Sequence, residues 1–103
     1  MSSEIYAAQI CAKSANSFEA TECLDKEVKR LRTELNTIYK KVYKQTEARK
    51  ELDTAQKSWS NYKDQQCGDF VSVDSGYSPS TMIFNLDCQV TLLKQRIEFL
   101  KSL

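Results

Sequence analysis

The stretch that decides the fold is Leu24-Asp25-Lys26-Glu27-Val28-Lys29-Arg30-Leu31-Arg32-Thr33-Glu34-Leu35-Asn36-Thr37-Ile38-Tyr39-Lys40-Lys41-Val42. Its apolar residues, Leu24, Val28, Leu31, Leu35, Ile38 and Val42, are spaced 4, 3, 4, 3 and 4. That alternation keeps one apolar stripe on one face of an α-helix, which predicts a helix over residues 18–46. Tyr39 and Tyr43 widen the stripe at its C-terminal end. The polar run Lys13 to Ser17 before it reads as a turn with an N-cap at Ser17. Residues 3–12, with Ile5 and Ala8 on one face, read as a short preceding helix.

Two later segments supply matching faces. Over residues 47–67, Leu52, Ala55, Trp59 and Tyr62 are spaced 3, 4 and 3. Trp59 and Tyr62 sit on that stripe and read as core residues. Gly68, directly after Cys67, reads as the helix stop, because glycine accepts the left-handed conformation. Residues 68–79 lose the helical period and read as a long connecting loop, with Phe70, Val71 and Val73 in a brief extended piece. The last helix opens at Ser78-Pro79-Ser80, with Ser78 as cap and Pro79 at the first helical position. Its residues Ile83, Leu86, Val90, Leu93, Ile97 and Leu100 repeat the spacing 3, 4, 3, 4 and 3. Only two glycines and one proline occur in 103 residues, too few for the turns of an all-β fold. The expected architecture is therefore all-α: residues 1–103 as a single domain, a small antiparallel bundle of three long helices plus a short N-terminal one.

Four cysteines, Cys11, Cys23, Cys67 and Cys88, are many for this length. In a small domain an even set points to two disulfides and an oxidising compartment. A Cys11–Cys23 bridge would tie down the short first helix, and a Cys67–Cys88 bridge would brace the 68–79 loop. Four cysteines allow three connectivities, so the spacing alone leaves the pairing open. The absence of His and of any Cys-x-x-Cys pair argues against a zinc site. Met1-Ser2-Ser3-Glu4 lacks the basic and apolar runs of a secretion signal, and the cysteines favour a chain whose signal has been removed. No apolar run approaches the roughly 20 residues of a membrane span.

Charge and motif content narrow the function further. With no His, no Gly-rich phosphate loop and no nucleophile elbow, the chain reads as a binding protein and not an enzyme, with no cofactor and no metal. From Lys29 to Lys50 eight basic residues stand against Glu34 and Glu47, a net of +6. From Asp64 to Asp87 four aspartates stand with no Lys or Arg, a net of −4. The overall charge is only +1, which argues against a nucleic-acid binder.

The run Ala55-Gln56-Lys57-Ser58-Trp59-Ser60-Asn61-Tyr62-Lys63-Asp64-Gln65-Gln66-Cys67 resembles the signature of the LprI-type lysozyme-inhibitor family: Ala-Gln, a basic residue, one residue, Trp, two residues, Tyr, Arg, Asp, two residues, Cys. Leu35-Asn36-Thr37-Ile38-Tyr39 is similar to the family's Leu-Asn-x-x-Tyr, and Cys88, Thr91 and Arg96 match its closing helix. Cys11 and Cys23 fit members with an additional N-terminal pair. The resemblance spans residues 10–101. Lys63 stands where the family has Arg, and Asp74-Ser75-Gly76-Tyr77-Ser78 matches its Gly-Gly-Ser-like loop only loosely.

The resemblance implies a periplasmic, secreted or lipid-anchored helical domain whose partner is a lysozyme or another peptidoglycan hydrolase. Asn36, Tyr39, Gln56, Trp59, Tyr62, Lys63, Asp64, Thr91 and Arg96, the residues matching the motif, read as structural. The contact surface is expected instead at Asp69, Asp74 and Tyr77, because an acidic, disulfide-held loop complements a basic enzyme. Two other functions fit the same reading. One is a periplasmic immunity protein against a cell-wall-targeting toxin. The other is a structural or stress-related envelope protein, assembled through the 24–42 stripe.

Overall fold

The computed structural model describes residues 11–103. Its elements are α1 (Ser17–Gln45), α2 (Arg49–Asp64), a π-helical turn (Gln65–Phe70), α3 (Val71–Asp74) and α4 (Thr81–Lys101). Among the described residues there is no strand. The short helix expected over 3–12 lies almost wholly outside the described residues. Cys11 and Ala12, which are described, lie in a turn where Ser14 N–H donates to the Cys11 carbonyl at 3.2 Å.

α1 begins one residue earlier than the spacing suggests, with Asn16 and not Ser17 as its cap. Asn16 is extended (φ −157°), and its Oδ1 accepts from Glu19 N–H at 2.9 Å. Glu19 in turn accepts from Ala15 N–H at 2.7 Å, so two backbone donors at the helix start are satisfied. At the other end Thr46 leaves the helix with extended backbone, and its Oγ1 accepts from Ala48 N–H. Arg49 closes the turn: its Nε donates to the Tyr43 carbonyl at 2.9 Å and its guanidinium lies 5.2 Å from the Tyr43 ring centroid.

The core forms between α1 and α4. Leu24, Val28, Leu31, Leu35 and Val42 meet Leu86, Val90, Leu93, Ile97 and Leu100, all buried. Each such side chain contributes about 1.5–3 kcal/mol by leaving water. The 24–42 stripe is thus covered within the chain. Long side chains fix the helix directions. Arg32 Nη2 donates to Gln89 Oε1 at 3.1 Å and Glu34 pairs with Lys101 at 3.2 Å, so residue numbers rise together and α1 and α4 run the same way. Cys88 is bonded to Cys67 and Arg96 to Gln56, so numbers fall along α2 as they rise along α4, and α2 runs opposite to both.

α2 joins this core less completely than its stripe suggests. None of its residues is buried; Leu52 and Trp59 are half-buried against the core edge, whereas Ala55 and Tyr62 are exposed. Polar bonds carry much of its attachment. The Tyr39 hydroxyl donates to the Asp53 carboxylate, and Arg96 Nε donates to Gln56 Oε1 at 2.9 Å.

Gly68 does not stop the helix. The chain stays helical from residue 49 to residue 74, widening into a π turn whose Val71 N–H reaches back to the Gln66 carbonyl. The widened turn directs Cys67 inward, 1% exposed, onto Cys88, and Asn85 Nδ2 donates to the Cys67 carbonyl at 2.8 Å. Phe70, Val71 and Val73 are therefore helical, not extended, and the long loop shrinks to residues 75–80. The stop falls at the second glycine. Gly76 has φ +62°, Tyr77 N–H donates to the Ser72 carbonyl, and Gly76 N–H to the Val73 carbonyl, both at 3.0 Å. This is a Schellman ending, which needs a left-handed residue at the position of Gly76. α4 starts later than expected. The Ser78 carbonyl accepts from Thr81 N–H at 3.0 Å, so Pro79 and Ser80 form a tight turn and Ser80 occupies the cap position.

Candidate functional site: an acidic aromatic tip

Two disulfides tie the turn before α1 to its N-terminal half (Cys11–Cys23) and the π turn to the N-terminal half of α4 (Cys67–Cys88). Because α1 and α4 run in parallel, both bridges reinforce the same end of the molecule. That end carries the 64–87 segment and its aspartates.

Asp69, Asp74 and Tyr77 are all exposed there, Tyr77 by 74%. They are joined by Phe70 and Val73, which are helical and not part of an extended loop. Phe70 and Val73 are 55% and 66% exposed and lie three residues apart in the helical stretch that ends just before Tyr77. Met82 and Phe84, at the start of α4, are also exposed at this end. This end thus exposes several large apolar side chains together with carboxylates, on a segment (residues 64–87) that contains no Lys or Arg. Exposed apolar clusters with a polar rim mark protein-docking surfaces. The helical spacing of Phe70 and Val73 is the signal that pairs them, and reading Gly68 as a stop conceals it.

Tyr77 is held with φ +55°, a left-handed conformation that costs a non-glycine residue roughly 1–2 kcal/mol. Two supports fix it: the backbone bond to Ser72 and the Ser75 and Thr81 hydroxyls, 2.6 Å apart, which join the two sides of the loop. A strained residue kept at an exposed tip is the pattern of a presented contact.

The residues that match the family motif are distributed differently. Gln56, Trp59 and Lys63 share one face of α2 and, with Asn36, line an open groove between α1, α2 and α4. Arg32, Leu35, Lys57, Ser60 and Leu93 complete its walls. Lys63 Nζ pairs with Asp64 at 3.0 Å, a single point contact. Arg96 is half-buried between Gln56 and the Phe99 ring, and that burial lowers its pKa from the ordinary arginine value; the guanidinium stays charged. Thr91 is buried, its hydroxyl donating to the Asp87 carbonyl at 3.1 Å. Tyr39 anchors α2 through Asp53, whereas Tyr62 faces solvent, 51% exposed. These residues do not converge on the tip.

A family model described as lysozyme inhibitor LprI matches residues 11–100. The chain belongs to the LprI lysozyme-inhibitor family. Comparison with curated proteins and with solved structures returns no match. The LprI match takes in both disulfides, the α2 motif and the tip. Among the described residues of this LprI protein no helix is long and apolar enough to cross a membrane, and no group of side chains is arranged to hold a metal ion.

Proposed function

We propose that the protein acts outside the cytoplasm as an inhibitor of a peptidoglycan-cleaving enzyme, a lysozyme, and that the tip is its contact surface. The observation that carries this reading is the grouping of Phe70, Val73 and Tyr77 with Asp69 and Asp74 on one disulfide-braced end. Aromatic anchors supply affinity at the centre of an interface, and carboxylates around them steer and orient a cationic partner. The Cys67–Cys88 bridge and the Schellman ending hold the tip in shape before contact, so less order must be created on binding. Family membership supports the choice of enzyme.

The test is clearance of cell-wall suspensions by a panel of lysozymes in the presence of the oxidised protein. The native chain inhibits stoichiometrically. Asp69→Lys with Asp74→Lys weakens inhibition by at least about tenfold, as does Tyr77→Ala. Full inhibition by both variants, with native circular dichroism, would move the contact surface elsewhere.

A further inference from the structure

We propose that the groove between α1, α2 and α4 is a second binding site, for a carboxylate-bearing, N-acetylated saccharide. It is independent of the tip. The site exists because no residue of α2 is fully buried: the seam between the helices stays open as a groove of about 410 Å³. That is within the range of small-ligand sites, roughly 300–1,000 Å³. At Lys63 it continues into a smaller hollow beside the π turn, where Gly68 has open space in place of a side chain.

The lining selects the ligand. Trp59 is half-buried, and the part of its indole that stays exposed beside the buried Leu35 and Leu93 offers an apolar surface suited to the C–H face of a sugar ring. Asn36, Gln56 and Ser60 supply donors and acceptors side by side, the complement of hydroxyl and acetamido groups. Arg32 donates to the neutral Gln89, and among the described residues neither Arg32 nor Lys57 has a carboxylate partner. These two cations call for an anionic group on the ligand. A simple inorganic anion makes no use of the indole and amides, and an acyl chain makes no use of the cations. A nucleic acid would use both, but the overall charge is only +1 and the neighbouring hollow is lined by Asp64, which opposes a continuous phosphate backbone. Isolated carboxylates separated by neutral rings meet no such barrier.

Trp59 is the sole tryptophan, so its fluorescence reports this groove directly. The experiment titrates the intact oxidised protein, without any lysozyme, with the disaccharide N-acetylglucosaminyl-N-acetylmuramic acid. Chitobiose, an oligothymidylate and polyglutamate serve as comparisons. The expected result is a saturable change in Trp59 emission with the carboxylated disaccharide and affinity at least about tenfold weaker for chitobiose. Arg32→Ala with Lys57→Ala, two exposed positions, lowers the affinity by at least about tenfold with unchanged far-ultraviolet dichroism. Asp69→Lys with Asp74→Lys leaves it unchanged, which separates this site from the tip. No saturable response, equal binding of chitobiose, or tighter binding of the oligothymidylate or polyglutamate would overturn the assignment.

Discussion

Gly68 and Gly76 form a matched pair of substitutions with opposite expected signs. Gly68 lies inside an unbroken helical stretch, and a Cβ built on it meets nothing within 4 Å. Glycine within a helix costs about 1 kcal/mol relative to alanine, chiefly through the freedom it loses on folding. The hydrogen bonds of the π turn are backbone bonds that alanine makes equally well. Gly68→Ala should therefore stabilise the protein by about 0.5–1 kcal/mol, which for a domain of this size raises Tm by roughly 3–6 °C. Gly76 also has open space around it, but its φ is +62°. A Cβ there meets the following carbonyl, at a cost of about 1–2 kcal/mol, so Gly76→Ala should lower Tm by roughly 5–10 °C. The assay is thermal unfolding of the oxidised protein followed by circular dichroism at the helical minimum. The same atoms are added in both variants, so a general effect of the methyl group cancels between them. A lower Tm for Gly68→Ala together with a neutral Gly76→Ala would refute the reasoning. It would mean that the helix ends at the first glycine.

Other consequences are checkable in the same way. Removing the Cys67–Cys88 bridge with two alanines frees a loop closed over a sequence separation of 21, and urea unfolding should show a loss of about 3 kcal/mol with a steeper denaturant dependence; an unchanged midpoint would mean the tip is braced by other contacts. Leu93→Ala, at a site 1% exposed, should cost about 3–4 kcal/mol, whereas Leu52→Ala on α2 should cost about 1 kcal/mol; equal losses would place the core among three helices and not between two. Tyr77→Gly should relieve the left-handed backbone and raise Tm while weakening inhibition, and a lower Tm would remove the strain from the account.

The two stripes that make the core were legible because their spacing is a direct record of helix geometry. Leu24 to Val42 and Ile83 to Leu100 need only the period of the helix to be recognised. The middle helix was legible as a helix but not as a partner. A stripe shows which face is apolar, not how closely another backbone approaches it, and Trp59 and Tyr62 look alike in sequence though only Trp59 packs on the core. Gly68 misled because glycine is both a common helix stop and an acceptable helix residue. The choice is made by Cys88 and Asn85, some twenty residues away, which hold the Cys67 turn in its widened form. Asp69 and Asp74 are legible by charge and Tyr77 as an aromatic anchor in an acidic segment, whereas Phe70 and Val73 become visible only once the segment is seen to be helical. The groove was beyond sequence reading altogether. Arg32 and Asn36 lie on α1 and Gln56 and Trp59 on α2, and no local pattern links the two pairs.

Both covalent links sit at one end of an elongated molecule, 47 Å in its longest dimension. At the opposite end no disulfide ties the described residues: the 46–48 turn is held by Arg49 on Tyr43 and by Tyr39 on Asp53, and the last turn of α4 by Leu100 and the Glu34–Lys101 pair. Amide hydrogens should consequently exchange along a gradient, fastest around residues 44–52 and 99–103 and slowest near Cys23, Cys67 and Cys88. Opening begins at the end without cross-links, and Phe70, Val73 and Tyr77 keep their register while it proceeds. The chain can thus be nicked or frayed at one end without losing the surface it presents at the other.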